Sequence, residues 1–167
     1  MTEGGAMELV DIIDANDRVI DTVPRSVMRG NVLRHRAVFI VVRDSAGRVL
    51  IHRRSEHKDI WPGWWDMAIG GVVASGESYD DAARRELWEE AGIGATPVFV
   101  SAGAYGDTEV NLIGRCYEVC HDGEVEPRDG EVAEFRWVST EELRRLVAEE
   151  RFLPDSLALL GPHLFGA

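Results

Sequence analysis

Three acids dominate the chemistry this chain could do. Glu86, Glu89 and Glu90 stand at i, i+3 and i+4 in the stretch ARRELWEEAG. At 100° per residue a helix would gather them into an arc of about 100°, on one face. Like charges at these spacings cost a few tenths of a kcal/mol per pair, and a bound hard cation would offset that cost. Magnesium in particular is held by few carboxylates together with the phosphates of a substrate. Arg85 stands beside this face, four residues before Glu89 and eight after Glu77, so either acid could pair with it. Gly70 and Gly71 let the backbone approach a ligand closely, and Gly71 is placed to offer a carbonyl oxygen to a metal. The competing reading of a Glu-rich segment is a solvated helix face.

These residues need elements to hold them. Ser78–Ala91 reads as a helix, with Ser78 as its cap, Asp80 and Asp81 at the positive end of its dipole, and Gly92 as its stop. Leu87 and Ala91 fall on its flank, suited to a core. Upstream, Glu8–Ile13 and Arg18–Thr22 read as a hairpin across the turn Asp14–Asp17, followed by a helical turn between Pro24 and Gly30. Leu33–Arg43 carries the apolar run Ala37–Val42, the mark of a strand covered on both faces. Arg48–Arg54, Met67–Val73, Pro97–Tyr105, Val110–Cys120 and Glu134–Val138 complete the strands. Ser139 and Glu142 form a capping box that opens a helix to Glu150, and Pro154–Leu164 reads as a last short helix. Strands and helices mix without βαβ regularity, which points to an α+β fold in one domain spanning 1–167.

Composition narrows the partners. The chain has 167 residues, long enough to bury a full core without disulfide or metal. Thirty acidic against 18 basic residues give a formal charge of −12, which argues against nucleic acid as the main partner. No apolar run approaches the roughly 20 residues of a membrane span, and the opening MTEGGAMELVDIID lacks the pattern of a signal peptide. A cytoplasmic protein is the expectation. Cys116 and Cys120, four apart in one strand, would stand about 13 Å from each other, too far for a disulfide.

The stretch 71–93, GVVASGESYDDAARRELWEEAGI, resembles the Nudix box, G-x5-E-x7-R-E-U-x-E-E-x-G-U with U bulky and apolar. Gly71, Glu77, Arg85, Glu86, Leu87, Glu89, Glu90, Gly92 and Ile93 occupy every defined position, so the agreement is specific. The resemblance implies a mixed β-sheet sandwiched between helices. It also implies Mg²⁺-dependent hydrolysis, with Mn²⁺ a possible substitute, of a nucleoside diphosphate linked to another moiety X. Water would attack phosphorus. By position it implies Glu86, Glu89, Glu90 and Gly71 as metal ligands, Glu86 and Arg85 in the catalytic set, and Glu77, with Arg85, as support of the loop–helix geometry. The base is sought outside the box: Glu131 first, then Glu134, Glu109 or Glu86 itself. Arg53, Arg54 and Lys58 are expected to contact the distal phosphate of a small phosphorylated substrate.

A second resemblance is to the branch of this superfamily that contains isopentenyl-diphosphate isomerase. The N-terminal hairpin extension (about 8–30), LRHRAVFIVV and RRSEHKDIWPGWWD carry it. His35 and Glu109 match functional positions of that isomerase. Gly70 and Val72 replace its cysteine and histidine, which favours a hydrolase over an isomerase, and the complete set of box acids disfavours a non-catalytic nucleotide sensor. Two of Trp61, Trp64 and Trp65 are expected in the core, Trp88 and Trp137 in structural roles, and the hairpin with the Trp-rich loop could support a homodimer.

Overall fold

The computed structural model describes residues 7–166. Residues 1–6, part of the segment read as lacking a targeting signal, and residue 167 lie outside the described residues. The elements run β1 (Leu9–Ile13), β2 (Val19–Pro24), α1 (Arg25–Gly30), β3 (His35–Arg43), β4 (Val49–Arg54), β5 (Trp65–Asp66), β6 (Ile69–Val72), α2 (Tyr79–Ala91), β7 (Val98–Gly106), β8 (Asn111–Cys120), β9 (Val132–Val138), α3 (Thr140–Glu149) and α4 (Pro154–Phe165).

The strand β3 organises the sheet. It pairs parallel with β8 along its whole length, from His35 opposite Leu112 to Arg43 opposite Cys120. On its other side it pairs antiparallel with β6, Ala37 opposite Val72 through Ile40 opposite Ile69. The partner β7 extends the sheet beyond β8, while β4 carries β9 and the two-residue β5. The sheet is therefore mixed, as the sequence predicts. The consecutive apolar run in β3 has the predicted cause. Val38, Ile40 and Val42 face a core shared with Ala83, Leu87 and Ala91 of α2. Ala37, Phe39 and Val41 face a second core with Leu143 of α3 and Leu160 and Leu164 of α4. Side chains alternate between faces along a strand, so a helix layer on each side requires apolar residues at every position. The result is the expected α/β/α arrangement.

A third, smaller cluster of Val10, Ile12, Met28 and Val72 ties the hairpin and α1 to β6. It brings α1 against the strand that precedes the box. The ends of α2 form as predicted: the Ser78 hydroxyl accepts from the Asp81 amide at 3.1 Å, and Gly92 takes the left-handed conformation at φ 68°. Among the described residues no helix is long and apolar enough to cross a membrane.

Candidate active site

The entry to α2 is closed by one arginine. Arg85 donates from Nε to Glu77 Oε2 at 2.8 Å and from Nη2 to Glu77 Oε1 at 2.9 Å, a fork-on-fork pair. Its Nη1 serves Glu86 at 2.9 Å and Glu89 at 3.2 Å, and Nη2 also meets the Val72 carbonyl at 3.3 Å. Every nitrogen of the guanidinium is engaged inside the box. These bonds tie the loop before α2 to the acids of the helix. Hydrogen bonding to Glu77 raises the pKa of Arg85 above the ordinary value. The Glu77 carboxyl, gripped by Arg85 and accepting from the Ala74 amide at 3.1 Å, is held below the usual range although burial opposes this.

At the other end of the box an acid lies where an apolar residue would fit. Glu90 shares the buried face of α2 with Ala83 and Leu87, at i, i+4 and i+7. Its Oε2 accepts from the Gly70 amide at 3.1 Å. Burial first, then the nearby Glu86, push its carboxyl well above the ordinary value. Glu86 is pushed up to about 7, chiefly by burial, with Arg85 opposing. Ligand oxygens of Glu90, Asp129 and Glu131 all fall within 4.8 Å of one another. Lys58 forms an ion pair with Glu131 at the edge of this group. The strand β6 fits closely: a Cβ on Gly71 would come within 2.5 Å of Glu86 Oε1, so the absence of a side chain there lets the carboxylate lie against the backbone.

Beside the carboxylates opens a cavity of about 520 Å³, including its solvent-filled mouth. Gly70 and Gly71 form its box side, Arg54, Lys58, Ile60 and Trp61 its loop side, and Arg25 and Arg29 of α1 its outer wall. His35, Asp66 and Asp155 are buried in its lining. Burial pushes the His35 imidazole down to about 4, against the hydrogen bond between its Nδ1 and the Leu33 carbonyl at 3.0 Å. Burial and the neighbouring Asp66 push Asp155 up to about 7.

The predicted residues are not all brought together. Glu86, Glu90, Glu131, Gly71 and Lys58 converge. Glu89 is half exposed and turned to Arg85, outside the Glu90–Asp129–Glu131 group. Arg54 is buried and lines the cavity, but it donates to the Ile60 carbonyl at 3.0 Å and so shapes the loop. Arg53 does not line the cavity. Its neighbour Arg54 takes that side, and Arg53, expected at the substrate, pairs with Glu134 across the strand pair at 3.1 Å. The same pair engages Glu134, and Glu134 is not among the carboxylates that converge with Glu90. Glu109 is exposed in the β7–β8 turn.

Trp65 is buried and Trp61 packs against the same core, while Trp64 stacks on Trp61 with centroids 6.0 Å apart. Trp88 is 49% exposed, with Arg128 over its ring at 4.4 Å. Sequence reasoning missed Asp129, Arg25, Arg29, Asp66 and Asp155. A visible signal existed for two of them: Arg25 and Arg29 are spaced i, i+4.

Comparison with known proteins agrees with this geometry. Residues 33–158 match the NUDIX domain family. A Nudix hydrolase of Streptomyces coelicolor, SCO1686, is 41% identical over 159 residues, covering 92% of this chain and 86% of the relative. The Escherichia coli K12 Nudix hydrolase YfcD is 39% identical over 155 residues, covering 92% and 84%. The crystal structure of DR0079 from Deinococcus radiodurans superposes with a TM-score of 0.78 at 28% identity, covering 95% of this chain and 99% of that one. The Nudix domain of Shewanella oneidensis NrtR, solved with ADP ribose, shares the fold at a TM-score of 0.64 and 17% identity, covering 84% and 97%. With its box complete and the family matched over most of its length, the chain belongs to the Nudix hydrolases, enzymes that cleave phosphoric anhydride bonds.

Proposed function

We propose that the protein is a divalent-metal-dependent pyrophosphohydrolase acting on a nucleoside diphosphate linked to another moiety X. The observation that carries this reading is the convergence of Glu90, Asp129 and Glu131 beside Glu86. The donor set is all carboxylate oxygen, the kind a hard cation selects, and its Glu86 and Glu90 carboxyls are raised chiefly by burial, with Glu86 adding repulsion at Glu90. Glu86, Glu90 and Asp129 would hold the ion, with Glu131 and the Gly71 carbonyl beside them. Mg²⁺ is the first choice and Mn²⁺ the substitute. A bound divalent ion neutralises diphosphate charge and lowers the pKa of water.

The chain's own groups divide the remaining work. Glu131 uses Oε2 for Lys58, and its Oε1 is the position assigned to take the proton of the attacking water. Lys58 lies between the carboxylates and the cavity, where its ammonium can meet a phosphate oxygen. Arg85 and Glu77 fix the angle of α2 so that Glu86 and Glu90 face β6. Trp61, Ile60 and Leu112 offer apolar surface to X. ADP ribose, the ligand of the NrtR domain, belongs in the first substrate panel. Nucleoside di- and triphosphates, dinucleoside polyphosphates, NADH, coenzyme A and isopentenyl diphosphate complete it. Cleavage that needs Mg²⁺ and stops with EDTA supports the reading; hydrolysis unaffected by EDTA, or none across the panel by folded protein, counts against it.

The exposed Val19 and Ile20 of the edge strand β2 support the homodimer reading of the hairpin. A monomer by light scattering at micromolar concentration would dismiss it.

A further inference from the structure

Four of the chain's 18 basic residues, Arg25, Arg29, Arg54 and Lys58, line a single cavity in a protein of net charge −12. Arg54 and Lys58 have partners in the Ile60 carbonyl and Glu131. The two arginines of α1 are less well provided. Both direct Nε at the same oxygen, Asp59 Oδ2, at 3.3 Å each. Arg25 also reaches Glu8 with Nη1 at 3.5 Å. Among the described residues, neither η nitrogen of Arg29 and not the Nη2 of Arg25 makes a hydrogen bond. The Arg29 side chain is only 19% exposed, so water satisfies it incompletely.

Two guanidiniums that share one carboxylate and face a third cation repel one another. Arg25 and Arg54 both oppose the charge on Arg29, adding to its burial. The acids in the cavity lining do little to relieve this, since burial moves Asp66 and Asp155 toward their neutral forms. An incompletely paired charge away from water is costly, and a ligand dianion would remove that cost. Guanidinium forks match phosphate oxygens in geometry as well as charge. Trp61, on the same cavity, holds a left-handed backbone at φ 46°, a strained state for a bulky residue and one found at ligand sites.

We propose that Arg25 and Arg29 form a phosphate subsite, which binds the substrate phosphate farthest from the carboxylate cluster. The hairpin extension thus contributes specificity to the cavity by carrying α1 to its mouth. The role within turnover rests on the pyrophosphohydrolase reading above, but the anion site itself can be tested without metal.

The test is calorimetric titration of the full chain with inorganic pyrophosphate in EDTA, where no metal can recruit the anion to the carboxylates. Wild type is expected to bind, and R25Q and R29Q to bind at least about tenfold more weakly. D59N frees both arginines from their shared carboxylate and is expected to bind about threefold or more tightly. This gain of function does not depend on a damaged variant staying folded. E90Q is expected to bind no more weakly than wild type while losing hydrolysis, which separates the two sites. Absence of binding in wild type, binding as tight as wild type in both arginine variants, or no gain in D59N overturns the subsite. Pyrophosphate binding that meets these expectations, in a protein that hydrolyses nothing, overturns the hydrolase reading alone.

Discussion

Arg85 and Arg29 are both helix arginines, both partly buried, and both face carboxylates. Arg85 places all its nitrogens on Glu77, Glu86, Glu89 and Val72. Arg29 places one, on a carboxylate it shares. The acids divide in the same way. Glu77 is gripped on both oxygens, whereas Glu90 has one amide from Gly70 and otherwise faces other acids. Groups whose hydrogen bonds close within the protein build the site. Groups left with unspent charge are available to bind, because only a ligand can complete them.

The largest break in this comparison should come from Glu90→Gln. It keeps the side chain's size and removes charge from the open half. The expected loss in kcat is at least about 100-fold, near 3 kcal/mol, with no fall in thermal stability. Full activity in this variant would remove Glu90 from the metal set. Arg85→Gln attacks the closed half and should do the opposite in kind. Loss of charge-assisted hydrogen bonds should cost roughly 2 kcal/mol, lowering Tm by about 4–8 °C in a chain of this size. Arg85→Lys should recover less than half of that shift, since an ammonium cannot grip both oxygens of Glu77.

His52 tests the rule from outside the cavity. It is buried, its Nδ1 has no partner, and burial pushes its pKa down to about 3. Unfolded histidine has a pKa near 6.5. Its neutral form therefore supports the fold fully above about pH 6.5, and that support is lost progressively as pH falls toward 3. At pH 5 the loss is about 2 kcal/mol. Denaturant midpoints at pH 7 and pH 5 should draw apart in wild type by this contribution more than in His52→Leu. An equal separation in the two proteins would mean that His52 takes up a proton without cost. The smallest effect concerns Glu86, pushed up to about 7. A metal must displace its proton, so Mg²⁺ affinity should fall by up to about tenfold per pH unit below 7 and level off above it. Affinity independent of pH between 6 and 8 would place Glu86 outside the ligand set.

The closed half was legible in the sequence because it is local. Glu77, Arg85 and the caps at Ser78 and Gly92 lie within one loop and one helix, where spacing determines geometry. The acids Glu86 and Glu90 were legible for the same reason. Glu89 was not separated from them, because the spacing i, i+3, i+4 puts all three acids on one face and does not say which of them is buried. Asp129 lies in the aperiodic segment between β8 and β9, where no repeat indicates which way a side chain turns. Arg25 and Arg29 of α1, Asp66 of β5 and Asp155 of α4 come from three separate places in the fold. Only the packing of α1 on β6 and the start of α4 near β5 unites them. The strand β5, two residues long, is too short for any alternation to reveal.

Gly70 has a consequence for what this fold can become. A Cβ at this position would lie 1.9 Å from the Val38 carbonyl oxygen, an overlap with backbone that no choice of rotamer relieves. By the resemblance of the flanking segments, isopentenyl-diphosphate isomerase has its cysteine at the matching position. For this chain a single mutation to cysteine would have to push β6 away from β3 before the thiol could do any chemistry. The strand pairing itself stands against a side chain there, and a laboratory selection for isomerase activity would have to remodel that pairing first.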